Sequence, residues 1–123
     1  MRLASLTVIG PFSDHHPDGL QPTIEVWFTE GFIDRLFGIF ATSGDHPLLL
    51  VNCRRVHGFG LRRSLFLTFL DRHGEVLNDG VVLGPRMTAS DARAAHVLES
   101  WVPLCLSIGD RLAWRSAQAG AGK

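Results

Sequence analysis

Apolar residues gather in short blocks along this chain, and the length and flanks of those blocks predict strands. The densest stretch is 48–83, around which the remainder reads as packing. Its runs Leu-Leu-Leu-Val (48–51) and Leu-Phe-Leu-Thr-Phe-Leu (65–70) are bounded by turn residues, the pattern of strands buried on both faces. Asp71-Arg72-His73-Gly74 then reads as a hairpin loop after 65–70. Asp71 can accept a bond from backbone two residues on, and Gly74 can take a positive φ. Residues 76–83 supply the returning strand, interrupted at Asn78-Asp79-Gly80 by a bulge or second turn and ended by Pro85.

Upstream, 3–9 predicts an opening strand and 10–22, with Pro11, Pro17 and Gly19, a loop. In 23–28, Ile24, Val26 and Phe28 alternate with Thr23, Glu25 and Trp27, as in a half-buried strand. The period then changes. Thr29 suits a helix N-cap, and Phe32, Ile33, Leu36, Phe37 and Phe40 recur at helical spacing, with Asp34 and Arg35 facing outward. This predicts one amphipathic helix over 30–41. Downstream, 90–95 resembles a short capped helix or turn, 96–99 a short strand, and 111–114 a last strand after a Gly109-Asp110 turn. Pro103 prevents 101–108 from forming one helix. The fold class these elements predict is α+β.

With 123 residues the chain is long enough for one domain with a real core, and 46% hydrophobic with 20% charged residues is ordinary for a globular protein. Twelve basic residues balance twelve acidic ones, which disfavours nucleic acid as a partner because phosphate binding rests on a basic excess. Cys53 and Cys105 follow no metal-ligand spacing and sit among apolar neighbours, as buried reduced thiols do. The first twelve residues make a poor signal peptide, and no run of about 18 apolar residues exists, so no membrane insertion and a cytoplasmic location are expected.

The chain offers several constellations that could carry chemistry. Asp14-His15-His16 invites a metal but sits in a Pro- and Gly-rich loop where histidines are commonly solvated. Residues 57–60, His-Gly-Phe-Gly, lack the lysine and helix of a phosphate loop. Cys53, His57 and His73 lack metal spacing and a fourth ligand, so neither metal nor cofactor is expected. The strongest cluster is Arg54, Arg55, His57, Phe59, Arg62 and Arg63, since guanidinium beside an aromatic ring holds phosphate or stacks a base. The plainer reading is a solvated edge balanced by Asp71, Glu75 and Asp79. Catalytic candidates are weak: His57 as acid or base, oriented by Asp71 or by Glu99, which follows apolar-leaning residues and so reads as partly buried.

The order of these elements resembles the bacterial and archaeal family known as domain of unknown function 192. The residues that carry the likeness are Val56-His57-Gly58-Phe59-Gly60-Leu61, where the family has a Val-His-Thr-Phe-Gly-Met-like run, and Phe69-Leu70-Asp71-Arg72-His73-Gly74-Glu75-Val76, like its Phe-Leu-Asp-x-x-Gly-x-Val. Pro85, Ala95-His96-Val97-Leu98-Glu99 and Gly109-Asp110-Arg111-Leu112 follow in order, and Asp34-Arg35-Leu36-Phe37-Gly38-Ile39 resembles the family's helix. Leu61 stands where the family has Met, and Ser64-Leu65-Phe66 where it has Pro-[Ile/Leu]-Asp, so a carboxylate has become Phe66. The segment between Glu99 and Gly109 is also shorter than the family's.

The resemblance implies a compact, mostly antiparallel or mixed, barrel-like sheet with the 30–41 helix packed on it and short helical turns. It implies no activity, cofactor or partner. The expected organisation is an N-terminal strand and loop (1–22), one globular domain (23–115) and a disordered tail (116–123). The expected function is a non-catalytic binding or accessory domain. Its surface around 54–63 would take a small anionic ligand or a protein partner. The alternatives are a small enzyme using His57 with a carboxylate, and a small barrel binding single-stranded nucleic acid. Oligomeric state is not readable from the sequence.

Overall fold

The computed structural model describes residues 2–10, 22–29 and 46–114. Nine strands lie in them: β1 (Arg2–Ile9), β2 (Thr23–Phe28), β3 (Leu48–Val51), β4 (Arg55–His57), β5 (Leu65–Leu70), β6 (Val76–Leu83), β7 (Thr88–Ser90), β8 (His96–Ser100) and β9 (Arg111–Ala113). The described residues contain no helix, which corrects the expected α+β class to a fold built of strands. The segment of the expected amphipathic helix, 30–41, lies outside the described residues, as do most of the 10–22 loop with its two histidines and the 116–123 tail.

At two places read as helix ends or turns, local hydrogen bonds set the backbone. Thr29, read as an N-cap, donates both its backbone N–H (3.1 Å) and its hydroxyl (2.9 Å) to the Leu49 carbonyl, so it extends the β2–β3 pairing. Residues 90–95 form a hydrogen-bonded turn. Asp91 Oδ1 accepts the Arg93 N–H at 2.9 Å, and the Ala94 N–H bonds the Asp91 carbonyl at 3.0 Å. Aspartate offers the backbone this alternative to a helix.

Seven strands form one sheet in the order β6-β5-β8-β3-β2-β1-β9, and β4 pairs with β7 as a separate ribbon. Only β2–β3 among these pairings is parallel, joined at Trp27↔Leu48 and Phe28↔Leu49. The long sheet closes on itself. Glu75, just ahead of β6, bridges Arg111 of β9, with Val76 N–H to the Asp110 carbonyl at 2.7 Å and Leu112 N–H to the Gly74 carbonyl at 2.8 Å. Closure removes the exposed edges that an open sheet would present.

Two cores follow from the pleat. Leu6, Val26, Phe28, Leu49, Leu98, Leu70, Val76 and Leu112, drawn from all seven strands, fill the barrel. On the opposite face Leu48, Leu50, Leu65, Leu67, Phe69, Leu83 and Val97 pack beneath Val56 of the β4–β7 ribbon and beneath Leu61 and Ala94. Strands β3 and β5 therefore bury both faces, and this is why their runs are apolar but for Thr68.

The hairpin between β5 and β6 shows how sequence sets the closure. Asp71 Oδ1 accepts the backbone N–H of His73 (2.8 Å) and of Glu75 (3.0 Å). Gly74 follows at φ 84, where a Cβ would stand 2.2 Å from the Leu112 carbonyl oxygen. Only glycine lets β9 approach that closely. Further along, the register slips between Leu67 and Phe69, and Asp79 at the bulge accepts the Thr68 hydroxyl at 2.9 Å.

A candidate anion-binding groove beside the short ribbon

The chain leaves β3 through Asn52 at φ 56, a left-handed conformation that asparagine tolerates better than most residues. The Asn52 N–H donates to His96 Nδ1 at 3.1 Å and the Cys53 N–H to the Ala95 carbonyl at 2.8 Å, pinning the turn to the start of β8. Accepting that bond leaves the His96 proton on Nε2, and burial holds the ring below its usual pKa, opposed by Asp71. From this fixed point Arg54 and Arg55 emerge.

Strand β4 pairs Arg55 with Ser90, Val56 with Ala89 and His57 with Thr88. Val56 points into the outer core, so its neighbours Arg55 and His57 face solvent. Arg54, Arg55, Ser90, Asp91 and Ala92 line a groove of about 510 Å³. Its carboxylate is already occupied. Asp91 accepts Arg93 Nε (3.1 Å) and Nη2 (2.8 Å) and Asn78 Nδ2 (2.6 Å). Hydrogen bonding from Arg93 holds Asp91 below the usual carboxylate range and the Arg93 guanidinium above its own. The guanidinium groups of Arg54 and Arg55 form no ion pair among the described residues. The groove thus offers a serine hydroxyl and two cations that are uncommitted among the described residues.

The six sequence candidates do not converge. Arg54 and Arg55 belong to the groove. His57 stands at the far end of β4, and Phe59 projects from the following turn with 78% of its surface exposed. Arg62 is exposed nearby, while the Arg63 guanidinium stacks 4.3 Å over the Trp101 ring. No hydrogen bond joins His57 to a carboxylate among the described residues. Asp71 is engaged by its own hairpin, and Glu99 is buried on β8 between Leu48 and Leu67. Burial pushes the Glu99 carboxyl up to about 7.

Sequence reasoning missed Ser90, Asp91 and Ala92, because β7 carries one inward residue, Ala89, and no periodicity can be seen in three positions. It also read both thiols as buried. Neither forms a disulfide among the described residues, but Cys105 is exposed in an irregular segment at φ 58, and Cys53 is half-buried with its Sγ–H donating to the Arg55 carbonyl at 3.3 Å. Among the described residues no group of three His, Cys, Asp or Glu side chains could hold a metal. Among the described residues no helix is long and apolar enough to cross a membrane.

No protein-family model matches the chain. No curated protein matches it either. Two solved structures share its fold. A candidate transcription regulator from Sinorhizobium meliloti 1021 superposes with a TM-score of 0.67 at 17% identity, over 92% of this chain and 94% of that one. A protein of unknown function from Novosphingobium aromaticivorans DSM 12444 does so with a TM-score of 0.67 at 17% identity, over 91% and 85%. At that identity the likeness is one of architecture alone.

Proposed function

We propose that this chain is a non-catalytic binding domain whose Arg54–Arg55 groove takes a small anionic ligand bearing a phosphate or carboxylate. The observation that carries the reading is the pair of guanidinium groups beside Ser90, uncommitted among the described residues, in a groove whose carboxylate is already neutralised by Arg93. Arginine offers carboxylate and phosphate a planar, bidentate match, and such pairs are among the stronger hydrogen bonds. Nothing in the surroundings of His57 favours proton transfer over this. A likeness to domain of unknown function 192 and a cytoplasmic setting belong to the same proposal. The first rests on the order of motifs, and the second is supported by two cysteines that form no disulfide among the described residues.

The test is a titration with inorganic phosphate and with citrate, followed by amide and arginine side-chain shifts in NMR. Shifts should centre on residues 54, 55 and 90–92, and the double variant Arg54→Ala/Arg55→Ala should lose them. Shifts spread evenly over surface arginines, or unchanged in the double variant, would sink the reading.

A further inference from the structure

Beyond the groove, at the opposite end of β4, two turns are locked into one tip. The Gly58 N–H donates to the Met87 carbonyl at 2.7 Å and the Arg86 N–H to the Gly58 carbonyl at 3.4 Å. Each turn closes on itself, through Leu61 N–H to Gly58 carbonyl (3.0 Å) and Met87 N–H to Gly84 carbonyl (3.1 Å). The turns touch so closely that a Cβ on Gly58 would lie 2.2 Å from the Gly84 carbonyl oxygen. Leu61, buried beneath, anchors the tip to the outer core.

Phe59 is 78% exposed and Met87 52% exposed on this tip. Around them stand Arg62, Arg63 and Arg86, all exposed, with His57 beside them, and residues 57–64 and 84–88 contain no Asp or Glu. A chain balanced at twelve charges of each sign has collected three cations and two projecting apolar side chains in one place. The other exposed apolar residues, such as Val102 and Ile108, lack such a basic surround in sequence, Ile108 standing two residues from Asp110.

We propose that this tip docks on an anionic lipid surface, with Phe59 and Met87 entering the interface and Arg62 and Arg86 meeting headgroup phosphates. Charge complementarity selects an anionic surface. The shape selects lipid over protein. A protein interface needs a contiguous, complementary apolar patch, whereas a fluid interface accepts two projecting side chains with no matching pocket. The backbone bonds fix both turns of the tip beforehand, so docking orders little further chain. This revises the expectation of no membrane insertion only to the depth of two side chains, and it does not depend on the Arg54–Arg55 groove.

The test is co-sedimentation of the full chain with vesicles of phosphatidylcholine alone and of equal phosphatidylcholine and phosphatidylglycerol, at low and high salt. Binding should require the anionic lipid and weaken with salt. Arg62→Gln and Arg86→Gln should each lower the partition constant roughly five-fold. Phe59→Ala should lower it by roughly ten-fold. A Phe59→Trp reporter should shift to the blue on binding and be quenched by brominated acyl chains. Arg54→Ala/Arg55→Ala should sediment like wild type, which separates this idea from the groove. No sedimentation, an unshifted reporter, or binding indifferent to Phe59→Ala would overturn the proposal. Capture of an acidic protein by the tip without vesicle binding would also overturn it, in favour of a protein partner.

Discussion

Glu99 sits at 4% exposure in the middle of the sheet, flanked in register by Leu48 on β3 and Leu67 on β5. Its carboxyl is raised from the ordinary 4.5 to about 7 by burial. In the unfolded chain the proton leaves near 4.5, while in the folded chain it stays until about 7. Between those values the folded state binds more protons, so stability falls as pH rises and levels off above 7. At 1.36 kcal/mol per pH unit the loss is on the order of 3 kcal/mol. Glu99→Gln keeps the shape and removes the charge. The perturbation is read as the difference between variant and wild type in urea unfolding from pH 4 to pH 8.5, so that His96, whose depressed pKa acts in the opposite sense below about pH 6.5, cancels. The variant should gain on wild type by about 3 kcal/mol across that range, most of it between pH 5 and 7. Parallel curves would mean that Glu99 is ionised without cost, and the reading of its burial would be wrong.

Gly74→Ala should destabilise by at least about 2 kcal/mol, because a positive φ strains alanine and its Cβ meets the Leu112 carbonyl; a loss under about 1 kcal/mol in thermal unfolding would contradict the closure described here. Phe69→Ala, in the outer core, should cost about 3–5 kcal/mol, while Phe59→Ala, on the exposed tip, should stay within about 0.5 kcal/mol by the same denaturant titration. Exposed Cys105 should react with a thiol reagent in the native protein before half-buried Cys53 does, as mass spectrometry of the labelled chain would show.

The parts of the fold that were legible in sequence are those in which side chains carry the signal. Residues 48–51 and 65–70 are apolar but for Thr68 because both faces of β3 and β5 are covered, and Asp71 with Gly74 mark the turn from β5 into β6 by the chemistry the backbone uses there. The barrel closure was not legible from periodicity, since it rests on backbone bonds of residues 74–76 to 110–112 that leave no apolar pattern. Strands β4 and β7 each bury essentially one residue, Val56 and Ala89, too few to show a period. The groove was half visible for the same reason. Arg54 and Arg55 stand out as a charged pair, but Ser90 reaches them only through that ribbon. Glu99 was traceable through its neighbours Val97 and Leu98, which are fully buried.

The pairing of β1 with β9 sets Thr7 against Ala113, while β5 and β6 meet across a hairpin of a few residues. The chain therefore holds one rapid local event and one that must bring together its most distant described strands. Local pairing loses little loop entropy, and distant pairing gains nothing until the intervening strands are already in place. Assembly should start at the 65–83 hairpin and finish at 111–113, with refolding on the slow, millisecond-to-second scale of sheet proteins. Until that last strand engages, the edges of β1 and of the Gly74–Val76 corner are bare, and the half-made barrel can pair with a neighbour as readily as with itself.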